Sequence, residues 1–311
     1  MRIAFFGTPA PAVPSLEAFL DDPAIEVAAV VTNPDRPSGR GHRVAPPPVK
    51  AAAAAAGAAV WQPVRPLDVV EDLRDLRLDA CAVVAYGALL PPGVLAAGGR
   101  GFVNLHFSLL PSWRGAAPVQ HAILHGDEET GVSCFVLDEG MDTGPVLSRL
   151  ATPILQGETA GELTARLAAV GAPQLVAAVR GLVDGSMTAQ PQDHELATYA
   201  PKIRPEDAAL TWEAPAQAVE QAVRAFNPAP GAHTTLDGQR LKVHRGTVVD
   251  AGGPPGAIVG VDRRGPVVAC GRGGLVLLEV QPAGKARMDG VAFANGYRPE
   301  GKRLGAGPHG A

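Results

Sequence analysis

The chain is short of cysteine. Among its 311 residues only Cys81, Cys134 and Cys270 are cysteines, an odd number, widely spaced and without a Cys-x-x-Cys pair. That excludes a disulfide framework and a thiolate zinc site, and predicts buried free thiols in a reducing compartment. No run of about 18 apolar residues occurs, so no membrane span is expected. The opening apolar run, residues 1–7, is too short for a signal peptide and reads as a first strand, which makes a cytoplasmic protein the expectation. A strong excess of one charge is also missing: the net charge of −4 is not that of a typical nucleic-acid binder. No extended heptad is present, so a monomer without a protein partner is expected. Gly7-Thr8-Pro9 stands where a dinucleotide fold would place Gly-x-Gly-x-x-Gly, so a nicotinamide cofactor is not expected.

What is present is a globular balance, 46% hydrophobic and 19% charged, long enough for two domains. The 37 Gly and 30 Pro follow no repeat and make the chain turn-rich rather than collagenous or disordered. The average charge hides an asymmetry. Residues 1–204 carry 15 Lys and Arg against 21 Asp and Glu, and residues 205–311 carry 12 against 10. A mildly basic C-terminal part beside an acidic N-terminal part permits a nucleic-acid contact.

The first half alternates in type. Strands are predicted at 3–6, 27–32, 80–85 and 101–106, and helical segments at 14–20, 49–57, 67–76 and 94–97, with a long loop at 33–48. This rhythm predicts an α/β fold, a doubly wound, mostly parallel Rossmann-like sheet with ligands beyond the carboxyl ends of its strands. A helix at 117–125, strands at 131–137 and 145–153 and a long amphipathic helix at 159–183 follow. Residues 190–206 lack periodicity and carry Pro191, Pro201 and Pro205, which suggests a linker. After a helix at 215–225, short strands at 232–236, 241–244, 257–261, 267–270 and 275–280 fit a small β-barrel of the OB kind. The expected division is therefore 1–189, a linker at 190–206, and 207–311.

Chemistry concentrates on the fourth strand and the loop after it, Asn104-Leu-His106-Phe-Ser108-Leu-Leu-Pro111. Residues i and i+2 of a strand share a face, so Asn104 and His106 aim an amide and an imidazole into one space. Asp142, in Met141-Asp-Thr-Gly-Pro145, offers a carboxylate flanked by turn residues. An oxyanion donor, a proton carrier and a group that sets the state of the imidazole would suit acyl transfer. His121 and His125, four apart on a helix, have metal-ligand spacing, but Ala122 follows the first and no third ligand is evident, so no metal is expected.

Taken together, Asn104-x-His106-x-Ser-Leu-Leu-Pro111, Arg114-Gly-Ala-Ala-Pro118 and Met141-Asp-Thr-Gly144 resemble the folate-dependent formyltransferases. The loop Asn33-Pro-Asp-Arg-Pro-Ser-Gly-Arg-Gly41 and the segments Tyr199-Ala-Pro-Lys202, Arg224-Ala-Phe-Asn-Pro228 and Gln281-Pro-Ala-Gly-Lys285 narrow the resemblance to the branch that formylates methionyl-initiator tRNA. The resemblance runs over nearly the whole chain and implies 10-formyltetrahydrofolate as co-substrate, with Asn104, His106 and Asp142 catalytic. It also implies folate contacts from Ser108, Leu109, Leu110, Pro111, Tyr86 and Gly87, and tRNA contacts from Arg36, Arg40, Arg43 and Lys202. One departure is Phe107, where the family has a small residue; alternation turns it away from the Asn104 and His106 face. Lys202, Arg204, Lys242, Arg245, Arg263, Arg264, Arg298, Lys302 and Arg303 could form a basic track for the tRNA. The rival readings are a formyltransferase for a small amine such as glycinamide ribonucleotide or an amino-sugar nucleotide, a formyltetrahydrofolate hydrolase, and a non-catalytic tRNA-binding protein.

Overall fold

The computed structural model describes residues 1–38 and 43–305. In chain order the elements begin with β1 (Arg2–Gly7), α1 (Val13–Leu20), β2 (Glu26–Val31), the hairpin β3 (Arg36–Ser38) and β4 (Arg43–Ala45), α2 (Pro48–Ala55) and β5 (Val60–Trp61). There follow α3 (Val70–Asp75), β6 (Ala80–Val84), α4 (Pro92–Leu95), β7 (Phe102–His106), β8 (Arg114–Gly115), α5 (Pro118–His125), β9 (Glu129–Val136) and β10 (Val146–Pro153). The long helix α6 (Ala160–Asp184), β11 (Tyr199–Ala200) and α7 (Ala216–Ala225) lead to β12 (His233–Leu236), β13 (Gln239–Val249), β14 (Ile258–Asp262), β15 (Gly265–Ala269), β16 (Gly274–Pro282), β17 (Met288–Asp289) and α8 (Gly290–Tyr297).

The chain divides into two compact units. One holds Met1–Pro118, Glu129–Pro153 and Thr164–Ala200; the other holds Val119–Glu128, Ile154–Leu163 and the chain from Pro201 onward. In the first unit seven strands lie in the order β10-β9-β7-β6-β1-β2-β5. The five from β5 to β7 are parallel, β9 runs against them, and β10, antiparallel to β9, returns to their direction. The central strands are apolar runs buried on both faces, as a parallel sheet covered by helices requires. β10 alternates between inward and outward residues, as an edge strand does. Leaving β1, the chain first builds β2 and β5 on one side and then returns to build β6 and β7 on the other. The crevice at the carboxyl ends of β1 and β6 is thus the switch point where ligands bind in such sheets.

By length and composition α6 could cross a membrane. Instead it packs on the sheet: a Cβ added at Gly171 would sit 2.8 Å from Leu105 Cδ2, so the close approach of helix to strand depends on glycine there. All three thiols are buried and free, and desolvation raises each, Cys134 to about 12 and Cys270 to about 11.

In the second unit one antiparallel sheet runs β12-β13-β16-β15-β14, with β17 added on β16. Register shifts around Arg245 bend the long strand β13 and curl the sheet into a half-barrel. The segment after α8 spans the two sheet edges: Ile258 N–H donates to Lys302 O at 2.8 Å, and Gly305 N–H to Thr235 O at 3.0 Å. The core gathers Trp212, Phe226, Val243, Leu277 and Phe293 around the buried stripe Ala216, Val219, Val223 of α7.

Several elements differ from the sequence expectation, the two-residue strands β8, β11 and β17 among them. The 33–48 loop contains the hairpin β3–β4, β5 was not foreseen, the 67–76 helix is a 3-10 turn followed by α3, and α8 was missed. β5 has two residues and shows no period to read. α8 begins with Gly290 and ends near Gly296, but it is started by Asp289, whose side chain accepts from Ala292 N–H at 2.7 Å.

Candidate active site

β7 pairs with β6 and β9, placing Asn104 opposite Val83 and Phe135, and His106 opposite Ser133. Both side chains line a cavity of about 470 Å³ at the strand ends, together with Tyr86, Gly87 and Asp142. Tyr86 and Gly87 leave β6 through a turn in which Ala85 and Gly87 have φ of 45° and 83°. The carbonyl of Tyr86 is held from two sides, by Thr8 Oγ1 at 3.0 Å and Asn33 Nδ2 at 2.7 Å, which ties the ends of β1, β2 and β6 together.

His106 is 6% exposed, and its Nε2 lies 2.8 Å from Trp113 O. A carbonyl only accepts, so Nε2 carries the hydrogen. Nδ1 lies 3.7 Å from Asp142 Oδ2. A neutral His106 therefore presents a lone pair toward Asp142, and the ring donates through Nδ1 only when it is protonated. Asp142 Oδ2 accepts from Gly115 N–H at 2.8 Å, and Asp142 has a φ of 55°, a left-handed conformation that aspartate adopts more readily than most residues. Asn104 is half-buried and lines the same cavity.

The loop 108–111 does not line the cavity. Ser108 is fully buried, and Leu110 packs with Phe135 and Val146. Ser133 braces the loop: its hydroxyl donates to Ser108 O at 2.7 Å and accepts from Leu110 N–H at 3.0 Å. Arg149 Nε donates to Leu110 O at 2.7 Å. Phe107, expected to turn away, lines the cavity. β7 ends at His106, and beyond a strand's end alternation no longer sets direction.

Arg36 and Lys202 are exposed; Arg43 begins β4; Arg40 lies outside the described residues. The foot of the β3–β4 hairpin is clamped by Lys50, whose ammonium donates to both oxygens of Asp35 at 2.9 and 2.8 Å and to Gln62 Oε1 at 2.7 Å. The Lys50 hydrogen bond, then that of Gln62, holds the Asp35 carboxyl below the usual carboxylate range. In the basic track, Arg204, Arg245, Arg264 and Lys302 are ion-paired with Asp207, Glu162, Asp262 and Asp237. Lys202, Lys242, Arg263 and Arg298 have no ion pair among the described residues. No group of three or more potential metal ligands occurs among the described residues.

Sequence reasoning missed two residues, Arg114 and Gln192. Arg114 is 2% exposed, and its Nη2 donates to Gln192 Oε1 at 2.8 Å. Nothing in an Arg-Gly dipeptide signals a buried cation, and Gln192 lies in an aperiodic stretch.

The cavity thus lies at the carboxyl ends of β6 and β7, beside the switch point, with an amide, an imidazole and a carboxylate on its lining; sequence comparison supplies the class. The Formyl transferase profile matches residues 1–179 and the profile of the Formyl transferase C-terminal domain matches residues 202–298; the chain belongs to the formyl transferase family. A Streptomyces griseus protein named methionyl-tRNA formyltransferase is 47% identical over 309 residues, covering 98% of this chain and 100% of that protein. One of the same name from Mycobacteroides abscessus is 48% identical over 301 residues, covering 96% and 97%. Among solved structures, HypX from Aquifex aeolicus in complex with tetrahydrofolic acid superposes with a TM-score of 0.68 at 17% identity, over 97% of this chain and 48% of that one. At that identity the likeness shows the fold.

Proposed function

We propose that this formyltransferase moves the formyl group of 10-formyltetrahydrofolate to the α-amine of methionyl-initiator tRNA in the cytoplasm, for translation initiation. The observation that carries the reading is the meeting of Asn104, His106 and Asp142 on one cavity at the end of β7. The acceptor is supported by near-full-length relatives that carry that name. The small-amine alternative is not favoured, because it draws no support from those relatives.

The cavity suits a folate. Its volume lies in the range of roughly 300–1,000 Å³ usual for ligand pockets. Its walls include Leu89, Leu90, Leu95 and Leu137 alongside Asn104, His106 and Asp142. Tyr86, Gly87 and these leucines would hold the ring system. Bound there, the co-substrate supplies an electrophilic formyl carbon. The α-amine of an aminoacyl ester is weakly basic, so an appreciable fraction is neutral and nucleophilic near neutral pH. Asn104 donates its amide N–H to the formyl oxygen as negative charge develops. Protonated His106 adds a second donor through Nδ1, because Trp113 O engages the other nitrogen. Asp142 stabilises that imidazolium and takes up the amine proton, directly or through water; as the tetrahedral centre collapses, the bond from the formyl carbon to the folate N10 breaks and that proton passes to N10, releasing tetrahydrofolate.

For the tRNA, Arg40 is the candidate for entering the groove at the acceptor end, with Arg36 and Arg43 on phosphates and Lys202 as a further contact. The ion-paired cations of the track exchange partners at low cost, because exposed ion pairs contribute only about 0–1 kcal/mol. Formyl transfer measured with methionyl-tRNA and with glycinamide ribonucleotide tests the reading. Turnover with the charged tRNA, falling with salt, is expected. Preference for the small amine would overturn the acceptor, and no transfer to either would overturn the activity.

A further inference from the structure

Three consecutive residues, Trp113, Arg114 and Gly115, each hold a different part of the site. Trp113 O engages His106 Nε2, Gly115 N–H engages Asp142 Oδ2, and between them the Arg114 side chain turns inward onto Gln192. Gln192 comes from a distant part of the chain and is 5% exposed. Its amide NH₂ donates to Asp142 O at 2.9 Å and Gly144 O at 2.7 Å, and its Oε1 accepts from Arg114 Nε at 3.2 Å and Nη2 at 2.8 Å. Two donors and two lone pairs are all an amide has, so Gln192 is saturated. Its orientation is also dictated, since carbonyls only accept and a guanidinium only donates.

We propose that Gln192, backed by Arg114, is a positioning residue that sets Asp142 against His106. This rests on the role given to Asp142 above. Asp142 is in a left-handed conformation, which neighbours must enforce. Gly115 restrains the end of its side chain and Gln192 its backbone. Arg114 in turn is fixed by β8, whose Arg114 N–H donates to Thr198 O at 2.9 Å and whose residues pair with β11. Gly115 has no room for a side chain: a Cβ would lie 2.6 Å from Ala200 O. Burying a guanidinium is expensive, and no carboxylate pairs with Arg114 among the described residues. Packing alone would be met more cheaply by an apolar side chain. What the cation adds is polarisation of the Gln192 amide, which strengthens its donation to the Asp142 loop.

Gln192→Glu tests this. The carboxylate keeps a partner for Arg114 but loses both donors and turns negative oxygens on the carbonyls of Asp142 and Gly144. Expected are a melting temperature within a few degrees of wild type, KM values for both substrates changed less than about twofold, and kcat lowered about ten- to a hundredfold. In a double-mutant cycle Asp142→Asn/Gln192→Glu should be no slower than Asp142→Asn alone. The amide proton of Gly115, followed by NMR, should move upfield as its bond to Asp142 weakens. Multiplicative losses in the cycle, or an unmoved Gly115 resonance, overturn the proposal. If Asp142→Asn turns over normally, the role of Asp142 falls, while the Gly115 resonance still decides whether Gln192 holds the loop. Should Gln192→Glu fail to fold, Gln192→Asn, which withdraws the same amide by one methylene, enters the same measurements.

Discussion

Asp142→Asn keeps the shape of the site and removes its charge. The amide oxygen of the new side chain can still accept from Gly115 N–H, so the loop should stay in place. What disappears is the attraction between a carboxylate and an imidazolium 3.7 Å apart, about 1 kcal/mol at the dielectric of water and about 4 kcal/mol at an effective value of 20. The two side chains are 7% and 17% exposed, which puts the loss between these limits. The oxygen that keeps the Gly115 bond also stands at the position facing His106 Nδ1 and, being neutral, no longer favours the imidazolium, so the neutral ring brings no donor to the cavity. At about 1.4 kcal/mol per tenfold, kcat should fall roughly five- to a thousandfold. Folate affinity should hold, because Asp142 is one polar group in a pocket lined mainly by apolar residues. Single-turnover formyl transfer to methionyl-tRNA gives the rate, and fluorescence titration with tetrahydrofolate gives the affinity. A rate within threefold of wild type would refute the electrostatic argument, and a matching loss of folate affinity would make Asp142 a binding residue instead.

Other perturbations follow from the same contacts. Ser133→Ala leaves Leu110 N–H and Ser108 O buried without their partner, at about 1–3 kcal/mol each, so urea denaturation should show a loss of about 2–6 kcal/mol; a loss below about 1 kcal/mol would mean the loop re-pairs. Lys50→Met frees Asp35 and Gln62 at the foot of the hairpin, and should lower kcat/KM for methionyl-tRNA severalfold more than it lowers folate affinity; equal losses would place the clamp in general stability. In the second unit, burial pushes His244 below its ordinary value of 6.5, and His233 shifts the same way for the same reason. The unfolded chain then binds more protons than the folded one as pH falls, so stability is full above about 6.5 and is lost as pH drops through the folded value. Melting curves between pH 7.5 and 5 should show this slope, and His244→Gln should flatten it.

The strands and most helices of the first unit were legible because each carries its own period: continuous apolar runs for buried parallel strands, and spaced ones for helices. The same was true of Asn104 and His106, since a shared strand face is a local property of the backbone. β5, β8 and β11 were not legible. Each is two residues long and exists only because a neighbour offers hydrogen-bond partners, as β11 does for β8. The direction of Phe107 failed for a related reason, because a pattern that holds within β7 says nothing about the residue after it.

By itself the sequence determined the doubly wound sheet, the curled β domain after it, and a formyltransferase signature in the order 104, 106, 142. The first two follow from local patterning, which needs no partner across the chain, and the signature from its resemblance to a known family. Only the tertiary structure decided which nitrogen of His106 faces Asp142, that the 108–111 loop is braced by Ser133 rather than open to the cavity, and that a buried Arg114 reaches across 78 residues to Gln192. Such contacts are made by groups far apart in sequence, and their geometry is set by how the sheet and its loops close on one another.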